Sequence, residues 1–135
     1  MKQLKVTAEI SELDQVLAFA DSVLDEAECP VKAQMQIDVA IEEIFVNIAH
    51  YAYPSGNGEA WISIETDNDK KSVSITFEDQ GIPYDPLKNK DPDITLSAEE
   101  RPIGGLGIFM VKKSMDDVSY EYSDGKNRLT IRKSF

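Results

Sequence analysis

The spacing of hydrophobic and polar positions changes several times along the chain, and each change marks an element. Leu4, Val6, Ala8 and Ile10 alternate with Lys5, Thr7 and Glu9, the two-residue period of a strand with one buried face. The period then lengthens. Leu13, Val16, Leu17, Ala20, Leu24 and Ala27 recur at the three- and four-residue spacing of an amphipathic helix, which Ser11 and Asp14 are placed to open. Cys29-Pro30 breaks that helix, and Pro30 suits the first turn of the next. The second helix is predicted over about 31–53, with Ile37, Ile41, Ile44, Phe45, Ile48 and Ala52 on its buried stripe. After the turn-rich run 54–58, Ala60, Ile62 and Ile64 alternate again. A turn at 67–70 leads to Val73, Ile75 and Phe77 on a hairpin partner.

Over 79–101 the pattern fails, and Pro83, Pro86 and Pro92 interrupt it. A long stretch without a period inside a domain reads as a functional lid or a disordered segment. Gly104-Gly-Leu-Gly107 follows and opens a short helix carrying Leu106, Phe109, Met110 and Met115. Two strands, 118–122 and 128–133, then flank a turn at 123–125. This order predicts an α+β two-layer sandwich. Its sheet is expected to be mixed, mostly antiparallel and about five-stranded, with about three helices on one face.

Composition narrows the classes of function. The 135 residues fit a single domain, 1–135, with a sizeable core. A formal net charge of −11 argues against direct nucleic-acid binding, which needs a basic stripe. It also means that a phosphate ligand would need a metal ion and backbone N–H groups to offset repulsion. No apolar run approaches the roughly 20 residues of a membrane span, and the N-terminus leads into a strand pattern. The expectation is a cytoplasmic protein with no membrane partner. Cys29 and His50 are single residues of their kind, which gives no internal disulfide and no zinc site.

Three groups of residues can carry chemistry. Glu43 and Asn47 are four apart on the long helix, so they stack on one face at the flank of the apolar stripe. A carboxamide oxygen there suits Mg²⁺, and a carboxylate can take a proton. Taken alone, Glu-x-x-x-Asn is more often a solvated helix shoulder. Asp79 shares parity with Val73, Ile75 and Phe77, so it lies on the core side of its strand's end. There it needs a donor or a shifted pKa. An adenine amine would serve, and Gly81 would let a flat ring approach the backbone. An Asp capping a turn before Gly is an equally good reading. The third group is Gly104, Gly105 and Gly107 at a helix start, a candidate phosphate site or simply a loop that needs glycine. It matches neither a P-loop nor a Rossmann fingerprint.

Together and in this order, Glu43-x-x-x-Asn47, Asp79-x-Gly81 and Gly105-x-Gly107 resemble the GHKL, or Bergerat-fold, ATPases. That superfamily includes gyrase B subunits, histidine kinases and mismatch-repair ATPases. Within it, the runs 40–53, 79–86 and 105–118 resemble the small anti-sigma-factor serine kinases of bacterial partner switching. The resemblance spans nearly the whole chain. It implies that Asn47 binds Mg²⁺ bridging the phosphates of ATP and that Glu43 acts as general base or as an orienter of the nucleophile. Asp79 would bind the adenine amine, with Gly81 giving room, and Gly104, Gly105 and Gly107 would approach the phosphates. Arg101 would pair with the γ-phosphate. Relatives commonly place His four residues after the metal Asn, where this chain has Tyr51; His50, one place early, reads as a surface or structural residue. Relatives also carry Thr near adenine on the last strand. Thr130 has the wrong parity for that, and Asn127 has the right one. The implied activity is ATP-dependent phosphorylation or sequestration of a protein partner. The implied partners are a STAS-type anti-anti-sigma factor and a sigma factor, and a homodimer is among the expectations. Two alternatives stay open: an ATP-binding regulatory module without phosphoryl transfer, and a detached histidine-kinase-type catalytic domain. The latter is disfavoured because no dimerisation helix precedes Leu4.

Overall fold

The computed structural model describes residues 1–54, 56–88 and 106–135, with nothing said of the Leu106 side chain. Strand β1 (Lys2–Thr7) leads through a 3-10 turn (Ile10–Glu12) into α1 (Leu13–Glu26) and then α2 (Val31–Tyr51). The hairpin β2 (Glu59–Asp67) and β3 (Ser72–Asp79) follows, then a 3-10 turn (Pro86–Lys88), α3 (Leu106–Ser114), β4 (Asp117–Ser123) and β5 (Lys126–Ser134). Among the described residues the strands form one sheet in the order β1-β2-β3-β5-β4.

All four pairings in that sheet are antiparallel, where a mixed but mostly antiparallel sheet was expected. The reason lies in the connections. Two helices separate β1 from β2, each reversing the chain, so β2 returns antiparallel to β1; a single crossover helix would have left the two parallel. The other neighbouring strands meet as hairpins or across the β3–β5 ladder.

The alternation read from the sequence sets the two faces of the sheet. Ile62, Ile64, Val73, Ile75, Phe77 and Ile131 point toward the helices and are buried. They meet Val16, Ala20 and Leu24 of α1, Ile37, Ile41, Ile44 and Phe45 of α2, and Ile108, Val111 and Met115 beside them. Each large side chain buried this way contributes roughly 1.5–3 kcal/mol relative to exposure. The opposite face is polar. There Thr76 and Thr130 share a 3.0 Å hydrogen bond, and Arg128 donates to Glu78 at 3.2 Å.

Boundaries differ from the periodic reading where local bonds decide them. The first strand stops at Thr7, and Ile10 turns outward. Helix α1 begins without a side-chain cap from Ser11, because the 3-10 turn before it supplies the entry. Helix α2 ends at Tyr51, and Tyr53 leaves it to do other work. Its hydroxyl accepts from the Gln80 N–H at 2.7 Å and donates to the Glu59 carbonyl at 2.6 Å. Its ring packs against Gly58, where a Cβ would stand 2.2 Å from the ring. One phenol thus ties the end of α2 to the start of β2 and the end of β3. No helix among the described residues is long and apolar enough to cross a membrane.

Candidate functional site

A cavity opens where the last turns of α2 face the ends of β3 and β5. Ile44, Phe77, Ile108 and Leu129 give it apolar walls, and Asn47, Asp79 and Asn127 supply the polar groups. Three residues from distant parts of the chain therefore share one space. Helix spacing brings Asn47 in, one turn after Glu43. Strand register brings in the other two: Asp79 stands directly opposite Asn127 in the β3–β5 ladder, so their side chains leave the sheet on the same face.

Asp79 and Asn127 are both buried, with 5% and 6% of their surface exposed. Oδ1 of Asp79 accepts the Gly81 N–H at 2.9 Å and the Asn127 side-chain N–H at 2.9 Å. No described residue donates to Oδ2. Burial pushes the Asp79 pKa above the usual carboxylate value, while the Asn127 and Gly81 donors pull it partly back.

Gly81 also makes a close contact within the protein. A Cβ there would stand 2.1 Å from the Ala52 carbonyl oxygen, and the next residue, Ile82, donates its N–H to that same oxygen at 3.0 Å. Within the protein, the close approach is to the end of α2. Gly107, in the first turn of α3, is close-packed on Glu43: a Cβ would stand 2.0 Å from Glu43 Oε2. Glu43 is half-buried beneath that turn, and Glu42 beside it is exposed. Arg101, Gly104 and Gly105 lie outside the described residues.

Tyrosines complete the site. Tyr51 and Tyr84 line the cavity's mouth, their rings stacked at 6.1 Å between centroids and 18° between planes. Tyr120 donates its hydroxyl to Asn127 Oδ1. His50 is exposed and meets only the edge of Tyr51, at 5.9 Å. Sequence reasoning did not single out Tyr84 or Tyr120. Tyr120 was accessible to it, since it shares parity with Val118 on β4 and pairs with Leu129.

The described residues that line the cavity include no lysine or arginine. A polyanion would find Asp79 and, one turn from Asn47, Glu43, so its charge would have to be met by a cation it brings or by backbone N–H groups. Asn47 offers a neutral, hard oxygen for such a cation. Asp79 offers an acceptor whose second oxygen receives no donor among the described residues. The residues present fit a metal-bound nucleotide with an amino group on its base.

An antiparallel sheet layered with helices, and a cavity that joins a long-helix carboxamide to a buried strand-end carboxylate, define a histidine kinase-like ATPase domain. The chain matches the family of that description over residues 6–133 and belongs to it. Among curated proteins it is 27% identical over 100 residues to the serine/threonine-protein kinase BtrW of Bordetella bronchiseptica, covering 74% of this chain and 70% of that one. It is 32% identical over 98 residues to the serine-protein kinase RsbW of Bacillus cereus, covering 70% of this chain and 60% of that one. The match thus spans less than two thirds of the RsbW relatives. Among solved structures, the RsbU and RsbW domains of a Mycobacterium tuberculosis protein superpose with a TM-score of 0.64 at 16% identity, over 99% of this chain and 32% of that one. That likeness is one of fold.

Proposed function

We propose that the chain binds Mg-ATP in this cavity and transfers the γ-phosphoryl group to a serine on a protein partner, acting as an anti-sigma-type serine kinase. The observation that carries the reading is the Asp79 carboxylate, buried at the cavity with two donors on one oxygen and none from the described residues on the other. Oδ2 would accept the exocyclic amine of adenine. Asn47 would hold Mg²⁺, which when bound neutralises phosphate charge. Gly107, with Gly104 and Gly105 before it, would leave room for the phosphates, and Arg101 would meet the γ-phosphate. Glu43 would accept the proton of the serine hydroxyl as the new Oγ–P bond forms and the bond to the β-phosphate oxygen breaks, releasing ADP. Its support for this role is its place one turn before Asn47, under the first turn of α3.

The partner reading is carried over from the family that the sequence motifs resemble. It is a STAS-type anti-anti-sigma protein as phosphoryl acceptor, with a sigma factor as the protein held back, all in the cytoplasm, and with the kinase itself as a homodimer. A regulator that binds ATP without transferring phosphate is the second reading. It is favoured by the contact between Glu43 and Gly107, which gives that carboxylate a packing role as well. The two are separated by recovering partners from the native cell and assaying label transfer from Mg-ATP beside a binding titration. Transfer to a serine, lost in Glu43→Gln, supports the kinase. Wild-type protein that binds ATP yet labels no recovered partner leaves the binding module.

A further inference from the structure

Asn127 spends its whole hydrogen-bonding capacity inside the protein. Its side-chain nitrogen donates to Asp79 Oδ1 at 2.9 Å and to the Ile82 carbonyl at 2.8 Å. Its side-chain oxygen accepts the Tyr84 N–H at 3.1 Å and the Tyr120 hydroxyl. A carboxamide has two donors and two acceptor lone pairs, so nothing remains for a ligand. The orientation of the amide is also forced. The Ile82 carbonyl can only accept and the Tyr84 N–H can only donate, so a flipped amide would set oxygen against oxygen at two places and nitrogen against N–H at a third.

We infer that Asn127 is a positioning residue and not a contact of the nucleotide: held by Tyr120, it fixes Asp79 with one oxygen turned inward and the other free, and so sets the preference for an amino-purine over an oxo-purine. This rests on the proposed reading of the base by Asp79. An amide nitrogen at Oδ1 favours the ionised carboxylate, which can only accept. Were Asn127 absent, the buried carboxyl would hold its proton more readily. A protonated carboxyl can donate as well as accept, so it would tolerate a carbonyl on the base where the ionised form meets it with repulsion. Among the described residues, the groups that face Asp79 add no cation to replace the amide. Tyr53 comes from the end of α2, and Tyr120 with its neighbour Asp85 comes from the other side. The same amide sets a second part of the wall. By holding the Tyr84 N–H it fixes the residue whose ring stacks on Tyr51 at the cavity mouth.

The test is a ratio, because a merely structural residue would weaken all nucleotides alike. Dissociation constants for Mg-ATP and Mg-inosine triphosphate are measured by calorimetry on wild type, Tyr120→Phe, Asn127→Leu and Asp79→Asn, each checked for melting temperature. Inosine differs in carrying a carbonyl where adenine carries its amine. The wild type is expected to favour ATP by on the order of tenfold or more. Tyr120→Phe keeps the ring and removes one donor to Asn127; it should narrow the ratio several-fold with little change in melting temperature. Asn127→Leu should abolish the preference, and Asp79→Asn, now able to donate, should reverse it. If Asn127→Leu does not fold, Tyr120→Phe decides alone. A wild-type ratio retained in Tyr120→Phe and in any folded Asn127→Leu, while Asp79→Asn still reverses it, overturns the role of Asn127 and leaves Asp79 reading the base. A wild type with no preference at all overturns both.

Discussion

Two enclosed carboxylates on the helix side of the sheet are satisfied in opposite ways. Asp79 ends a strand, faces its partner Asn127 across the ladder and receives two N–H donors on one oxygen. Asp38 lies in α2, where it faces α1. Its Oδ1 is enclosed and finds no donor among the described residues. Its neighbour is another carboxylate, Asp21, which can bond it only by sharing a proton. Burial, that shared bond and the charges of Asp21 and Asp25 push the Asp38 pKa up to about 7. Asp21 in turn accepts from the Gln34 side chain at 3.1 Å, so the donor within reach is already committed to it. A carboxylate supplied with donors stays available to a ligand; one supplied with another carboxylate becomes a proton store.

The contrast can be broken or sharpened at four points. The largest expected effect is at a third carboxylate, Glu43, whose work would be kinetic. Glu43→Gln is expected to slow phosphoryl transfer by ~10²–10⁴-fold while Mg-ATP affinity stays within a few-fold, as read by label transfer beside calorimetry. A rate unchanged by the substitution removes Glu43 from the chemistry. Next is Asp79→Asn, which is expected to cost ~1–3 kcal/mol of ATP affinity with the domain still folded. The matching Asp38→Asn should leave ATP affinity unchanged; equal losses from both would erase the distinction drawn between them.

The third point is the metal. Chelation is expected to weaken ATP binding to wild type, and Asn47→Ala to make binding insensitive to chelator, both by titration calorimetry. Equal wild-type affinity with and without Mg²⁺ removes the metal from Asn47. The smallest effect is on stability. The folded-state pKa of Asp38, about 7, lies above its unfolded value, so between the two the folded protein binds the extra proton. Stability from this group is present below the unfolded carboxylate pKa and is lost as pH rises through about 7. Asp38→Asn supplies a permanent donor to Asp21, and should raise the melting temperature by a few degrees at pH 8 and flatten its dependence on pH. A wild type whose melting temperature does not fall from pH 5 to pH 8, and which Asp38→Asn does not stabilise, would contradict the shared proton.

Much of this was legible in the sequence, and the limit has a physical form. Strand parity placed Asp79 and Asn127 on the core face, because a two-residue period leaves only two choices. Helix spacing put Glu43 and Asn47 on one flank of α2. What periodicity does not encode is the register between elements that are not hydrogen-bonded to each other. The meeting of Asp21 with Asp38 depends on how α1 slides along α2. The contact of Gly81 with Ala52 depends on where the chain leaving β3 crosses the end of α2. The direction of β2 relative to β1 depends on the count of reversals between them. The saturation of Asn127 needs Tyr120 and the backbone of 82–84 at once, and no pairwise spacing reports such a convergence. Arg101, Gly104 and Gly105 stand on the sequence alone, since they fall outside the described residues.

The contact between Gly107 and Glu43 has a use in genetics. Residue 107 has only a hydrogen atom where a methyl group would stand 2.0 Å from the Glu43 carboxylate. An alanine allele at that position would keep Glu43, Asn47 and Asp79 in the chain while narrowing the room in which the acidic side chain and a phosphate would settle. Removing Glu43 itself alters charge, packing and chemistry together. A Gly107→Ala strain would crowd the space between Glu43 and the first turn of α3, and a cell carrying it would report whether the two proposed duties, holding a partner and modifying it, are separable.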